Sequence, residues 1–142
     1  MIGPTEIHSA KILIVDDKEA NVVLLERALR GAGYAAITST MDPEQVCGLH
    51  KDNQFDLILL DLMMPKIDGI EVCKRLRADP GFPFTPIIIV TAMADLKDVV
   101  AGLEAGGDEY LTKPIKVKEF NDTLNAALEA ADRSAAQPGG VS

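Results

Sequence analysis

The sequence predicts an α/β fold, a doubly wound five-stranded parallel sheet with helices on both faces. Three observations carry this expectation. Five short apolar runs recur along the chain, each ending at polar or turn residues, and each is followed by a stretch with helical spacing, which is a repeating βα pattern. The first, third and fourth runs are apolar throughout, as strands covered on both faces are. Right-handed crossovers between parallel strands then place helices on both sides of the sheet.

The first run, Lys11 to Val15, ends at Asp16 and Asp17. From about Glu19 to Ala32 the residues Val22, Leu25, Ala28, Leu29 and Ala32 share one helical face, and Gly31 and Gly33 stop the helix. A second strand is expected near Ala35 to Thr38. Asp42-Pro43 makes a helix start with proline in the first turn; that helix ends near His50, and Asn53 breaks it. The third run, Phe55 to Leu60, ends at Asp61. After the loop Leu62 to Ile67, Asp68 can cap a helix that turns Ile70, Cys73 and Leu76 inward, closed by Asp79-Pro80-Gly81. Pro86 opens the fourth strand, Ile87 to Val90, because the first residue of a strand tolerates a missing amide donor. Leu96, Val99, Val100 and Leu103 follow at helical spacing. The last strand, about Glu109 to Thr112, reaches Lys113-Pro114, and Val117, Phe120, Leu124, Ala127 and Leu128 mark a final helix. One domain over residues 11–132 is expected, with an N-terminal tail (1–10) and a flexible C-terminal tail or linker (133–142) containing Pro138-Gly139-Gly140.

At 142 residues, 47% of them hydrophobic, the chain has room for one domain with a sizeable core. A formal net charge of -8 argues against direct nucleic-acid binding, which needs clustered lysine and arginine to neutralise phosphates. The two cysteines, Cys47 and Cys73, lack metal-ligand or redox spacing and read as free thiols of a reducing compartment. The start, MIGPTEIHSA, has no leader pattern, and no apolar segment approaches the roughly 20 residues of a membrane span. A soluble, cytoplasmic protein is expected.

In open parallel sheets ligands bind outside the carboxyl ends of the strands. The residues just past the strands are Asp16 and Asp17, then Asp61, Thr91 and Lys113. Taken singly, a strand-end aspartate can be no more than a helix cap, Thr91 can cap the next helix, and Lys113 can be an ordinary solvated lysine. Together they concentrate chemistry that no other part of the sequence matches. Three converging carboxylates would repel one another unless a cation neutralised them. Magnesium suits such an edge, because it takes one or two carboxylates, several waters and phosphate oxygens, whereas calcium wants more protein ligands and zinc a histidine or cysteine cluster. Asp61, on the central run, is best placed to accept a phosphoryl group as an acyl phosphate, which Lys113 can pair with and the Thr91 hydroxyl can donate to.

The stretches ILIVDD (Ile12 to Asp17), LILLDLMMPKIDG (Leu57 to Gly69), IIIVTA (Ile87 to Ala92) and DEYLTKP (Asp108 to Pro114) stand in an order and at separations that resemble the receiver domain of bacterial two-component response regulators. The resemblance covers about Lys11 to Ala131. It implies a flavodoxin-like strand order 2-1-3-4-5 and phosphorylation of Asp61. It implies magnesium, or manganese in its place, held by Asp17, Asp61 and the backbone carbonyl of Met63, with Asp16 acting largely through water. Thr91 and Tyr110 would form the switch pair, and the Lys113-Pro114 bond would be cis. The implied partners are a sensor histidine kinase or histidine phosphotransfer protein, a downstream effector domain or protein, and a phosphorylation-dependent second copy. The output surface expected from it runs over Leu96 to Leu103, Tyr110 and Lys116 to Phe120.

Other readings compete. Gly106-Gly107-Asp108-Glu109-Tyr110 resembles the signature of diguanylate cyclases, but it falls in a helix-to-strand turn and the rest of a cyclase domain is missing from the sequence. Phosphohydrolases of the haloacid dehalogenase type also phosphorylate a strand-end aspartate, yet they carry a second aspartate two residues on, where this chain has Met63. With Met93 two residues past Thr91, apolar side chains would flank the phosphate, and slow self-dephosphorylation is expected. A degenerate receiver that acts by binding alone is a further alternative. Neither His8 nor His50 reads as a phosphodonor: His8 sits in the tail, and His50 at a helix end is placed to favour the macrodipole.

Overall fold

The computed structural model describes residues 7–64, 67–81 and 85–136. The expected tail residues 1–6 and linker residues 137–142, and Pro65 and Lys66 of the Leu62 to Ile67 loop, lie outside the described residues. Strands and helices alternate as β1 (Ile12–Val15), α1 (Glu19–Gly31), β2 (Ile37–Thr40), α2 (Val46–Asn53), β3 (Leu57–Leu60), α3 (Gly69–Ala78), β4 (Ile87–Thr91), α4 (Leu96–Glu104), β5 (Glu109–Thr112) and α5 (Val117–Ala136). All strand pairs are parallel, in the order β2-β1-β3-β4-β5. The expected α/β class and strand order are both found.

Period-two alternation along the strands feeds two cores. Ile12 and Ile14 of β1, Leu57 and Leu59 of β3, and Ile88 and Val90 of β4 face α1 and α5, where they meet Val22, Leu25, Leu29, Phe120, Leu124 and Leu128. Leu13, Val15, Ile58, Leu60 and Ile87 face the other way, onto Val46, Val72, Cys73 and Leu76 of α2 and α3. Each buried Leu, Ile, Val or Phe contributes roughly 1.5–3 kcal/mol of transfer free energy, so the sheet is fixed from both sides. The same register sets the carboxyl-end edge of the sheet. Val15 pairs with Thr40 and Leu60, and Thr91 with Thr112, so the residues following β1, β3 and β5 emerge on the same edge as Thr91, which is the last residue of β4 and not the residue past it.

The sequence expectations fail in several places. β2 begins at Ile37 rather than Ala35, because Ala35 and Ala36 are exposed while the β-branched Ile37 and Thr38 fit a pleated surface. Gly31 lies inside α1; the stop is Gly33, whose φ of 101° allows Tyr34 to return its amide to the Leu29 carbonyl at 3.0 Å. α2 ends where Gln54, at φ 54°, turns left-handed, one residue past Asn53. α5 continues to Ala136, through a stretch that reads as linker. Ile7–Ser9 form a 3-10 turn, with His8 edge-on to Tyr34, and Ala10 is fully buried. Asp68 does cap α3, accepting from the Glu71 amide at 2.9 Å.

His50 overturns its own expectation most clearly. The macrodipole reading favours a charged, accessible ring, but His50 is 2% exposed and stacks on Phe55. Its Nδ1 accepts the Phe55 amide at 3.0 Å, so the neutral ring carries its proton on Nε2 and offers it to Thr85 Oγ1, 3.0 Å away. Burial lowers its pKa, and the nearby Asp79 and Asp56 carboxylates only oppose that shift. Phe120, expected on an output surface, is instead fully buried core. Cys47 is half-buried and Cys73 buried, both are free, and burial pushes the Cys73 thiol up to about 11. Among the described residues no helix is long and apolar enough to cross a membrane.

Candidate functional site

Backbone bonds bring the strand-end residues to one place. The Asp61 amide donates to the Val15 carbonyl at 3.0 Å and the Lys113 amide to the Thr91 carbonyl at 2.8 Å, which ties the residue after each strand to its neighbour. Asp16 and Thr91 are fully buried, Asp61 is 5% exposed, and Asp17 is half-buried. Asp16, Asp17 and Asp61 each offer an oxygen within 4.8 Å of the others. The Lys113-Pro114 peptide is cis, as the resemblance implies.

Lys113 is the counter-charge. Its Nζ donates to Asp16 Oδ2 at 2.6 Å and to Asp61 Oδ2 at 2.9 Å. Burial pulls the ammonium pKa down, but bonds to the two carboxylates more than reverse this and hold it above the ordinary lysine value. Burial likewise pushes the Asp61 carboxyl up, and the Met63 amide, the Lys113 ammonium and the Thr91 hydroxyl together hold it below its ordinary value. Asp61 is therefore a desolvated carboxylate whose ionised form is favoured.

Asp16 is fully engaged, since its second oxygen accepts the Lys18 amide at 3.0 Å and Asn21 Nδ2 at 3.4 Å. It therefore does not cap α1, whose N-cap residue is Lys18. Asp17 differs: its Oδ1 is buried and has no hydrogen-bond partner among the described residues. A buried carboxylate oxygen left unpaired is costly, and a hard cation beside Asp16 and Asp61 would satisfy it. Thr91 does not cap α4; its Oγ1 accepts the Met93 amide at 3.4 Å, and the position before α4 belongs to Asp95. Asp61 Oδ1 accepts the Met63 amide at 3.0 Å, while half of the Met63 side chain is exposed.

Tyr110 stands behind Thr91, half-buried, with its hydroxyl donating to the Met93 carbonyl. Gly102 makes room for this ring, because a Cβ there would meet Ile89 Cδ1 at 2.7 Å and Tyr110 Cε2 at 3.2 Å. Gly69 packs directly on the backbone at Asp61: a Cβ would run into the Asp61 carbonyl and lie 2.7 Å from Leu62 Cα. All the sequence-predicted site residues thus converge at the strand edge or stand one layer behind it. Two contacts escape a reading of the sequence, Asn21 on Asp16 and the Met93 carbonyl on Tyr110. Asn21 carries a faint signal in its place on the first turn after the aspartates. The Met93 carbonyl carries none, since any residue supplies one.

A family model of the response regulator receiver domain matches residues 12–125. The alkaline phosphatase synthesis transcriptional regulatory protein PhoP of Bacillus subtilis is 43% identical over 125 residues, covering 88% of this chain and 51% of PhoP. The DNA-binding response regulator MtrA of Mycobacterium leprae is 41% identical, covering 89% of this chain and 55% of MtrA. The chain thus spans about half the length of these two relatives. Among solved structures, a putative response regulator from Chloroflexus aurantiacus superposes with a TM-score of 0.81 at 35% identity, covering 85% of this chain and 98% of that one.

Proposed function

The chain belongs to the response regulator receiver domain family, and on that premise we propose that Asp61 is the carboxylate on which it takes a phosphoryl group. The observation that carries this reading is the double ion pair of Lys113 with Asp16 and Asp61 beside Asp17 Oδ1, which has no partner among the described residues. A desolvated carboxylate, a lysine ammonium and a carboxylate oxygen able to accept a cation meet in one cluster. Asp17, Asp61 and the Met63 carbonyl would hold magnesium, or manganese in its place, with Asp16 acting largely through water, the arrangement the family resemblance implies. When bound, the ion offsets negative charge on the transferring oxygens.

The rest of the work falls to side chains of this chain. Asp61 attacks phosphorus, and Lys113 can exchange a carboxylate bond for one to the new phosphoryl oxygen. The Thr91 hydroxyl, buried next to the acceptor, can donate to another. Moving Thr91 withdraws it from the Met93 amide, and Met93 is also the residue whose carbonyl holds Tyr110. That shared residue gives the phosphoryl charge a route to the ring of Tyr110 and the outer face of α4, where Leu96, Val100 and Leu103 are exposed. Those side chains, with Tyr110 and Val117, are the surface we assign to the effector or to a second copy, in place of the buried Phe120.

The phosphoryl donor is a sensor histidine kinase or a histidine phosphotransfer protein, since His50 is sealed in the core and His8 packs on Tyr34 far along the chain from Asp61. Cytoplasmic residence fits such a donor. Direct nucleic-acid contact is not assigned to this acidic domain. Nor is cyclase activity assigned to Gly106-Gly107-Asp108-Glu109-Tyr110. Its residues have structural work: Gly106 sits at φ 120°, Gly107 could bear no Cβ beside Ile89, and Asp108 Oδ2 accepts Arg77 Nη2 at 2.6 Å and the Ile87 amide at 2.8 Å.

Borohydride reduction of the phosphorylated protein, followed by peptide mass spectrometry, tests the assignment. An acyl phosphate on Asp61 leaves homoserine at position 61; homoserine at another aspartate, or none in a protein that has taken up phosphate, overturns it.

A further inference from the structure

The loops after β1, β3 and β4 leave a groove of about 530 Å³ beside the acidic cluster, walled by Leu62, Met63, Met64, Ile70, Met93 and Ala101, with Asp17 also lining it. This volume falls within the roughly 300–1,000 Å³ of small-ligand sites. Two of its walls are tied to the reacting groups: the Met63 amide donates to Asp61 Oδ1 at 3.0 Å and the Met93 amide to Thr91 Oγ1 at 3.4 Å. Methionine side chains adapt to irregular apolar shapes.

In-line transfer puts the leaving group on the side of phosphorus away from the attacking Asp61 oxygen, between the loops that bear Met63 and Met93. Among the described lining residues Asp17, Asp68 and Asp98 stand against Lys18, so a leaving group with an extra negative charge is disfavoured there. We propose that this groove receives the apolar acyl group of an acyl phosphate, making such small molecules better phosphoryl donors to this chain than acetyl phosphate. The proposal rests on Asp61 being the acceptor. An Asp61 oxygen forms the new bond to phosphorus as the bond from phosphorus to the acyl oxygen breaks. The electron pair leaves with the carboxylate, and no proton or redox change is needed.

The test is the initial rate of Asp61 phosphorylation against donor concentration for benzoyl phosphate and acetyl phosphate, in the wild type and in Ala101→Leu. Burying a phenyl ring predicts a KM for benzoyl phosphate about tenfold lower than for acetyl phosphate, with comparable kcat. Ala101 is exposed on α4, so leucine there fills the groove without entering the core and should raise the benzoyl phosphate KM to the acetyl phosphate value. Phenylphosphonate, which cannot transfer its phosphorus, should compete better than methylphosphonate by a similar factor in the wild type. Equal KM values for the two donors, or equal competition by the two phosphonates, overturn the groove while Asp61 remains the acceptor. Failure of both donors to phosphorylate the folded protein overturns the groove and the acceptor together.

Discussion

Lys113 Nζ lies 2.9 Å from Asp61 Oδ2 while holding Asp16 Oδ2 at 2.6 Å, so one largely buried ammonium joins carboxylates that follow two different strands. Removing one partner of such a cluster leaves buried charge uncompensated, which costs about 3–5 kcal/mol. Lys113→Ala should therefore lower the urea midpoint well beyond the effect of a surface lysine, and added magnesium chloride should restore part of the loss by neutralising the same carboxylates. A midpoint unchanged by the substitution, or a loss that magnesium leaves untouched, contradicts this account of the cluster.

The buried His50 makes stability depend on pH. Its folded-state pKa is lowered from 6.5, so the folded state binds fewer protons than the unfolded chain in this range. The stabilisation is complete above the unfolded pKa and is lost as pH falls from there through the folded pKa. Urea titrations between pH 7.5 and pH 5, on the order of the histidine range, should show falling stability in the wild type. In His50→Gln the part of this slope due to one proton should vanish, because an amide oxygen can accept the Phe55 amide without titrating. A wild-type slope retained in full by the variant would exclude His50 as its source.

These two sites differ in how far the sequence reveals them. Asp16, Asp17, Asp61, Thr91 and Lys113 are legible because the rule that places them needs only the strand ends, and three of those ends follow unmistakably apolar runs. His50 is illegible because its helix-end position is the same whether the ring faces solvent or core; the distant Thr85 decides. Ala35 and Ala36 look like strand only until pairing with β1 fixes the register at Ile37. Phe120 misleads for a related reason, since helical spacing gives a face but not which neighbour covers it. For α4 the apolar positions are real, yet Leu96, Val100 and Leu103 remain uncovered.

Met63 and Met93 line the groove beside the acidic cluster with apolar side chains, and Met63 is half-exposed, so neither offers a polar group to orient a hydrolytic water. The phosphorylated protein should therefore lose phosphate slowly. Met63→Asn or Met63→Glu supplies a polar group that can orient water and should shorten the lifetime by roughly tenfold, short of the 10²–10⁴ of a positioned general base. Phosphate release followed after removal of the donor checks this. An unchanged lifetime would remove Met63 from the account.

Tyr110 bonds the Met93 carbonyl and packs beside Gly102 of α4, so Tyr110→Ala should separate phosphorylation from its consequence. The variant is expected to take phosphate at a near wild-type rate but to lose most of any phosphate-dependent self-association, measured by sedimentation with and without donor. Full phosphate-dependent association in Tyr110→Ala would move the switch elsewhere.

The central claim is that Asp61 accepts the phosphoryl group. Its most direct test is incubation of wild type and Asp61→Asn with acetyl phosphate and magnesium, resolved on a phosphate-retarding gel. A retarded species that forms in the wild type and not in Asp61→Asn is the predicted result; equal retardation of both, or of neither, contradicts it.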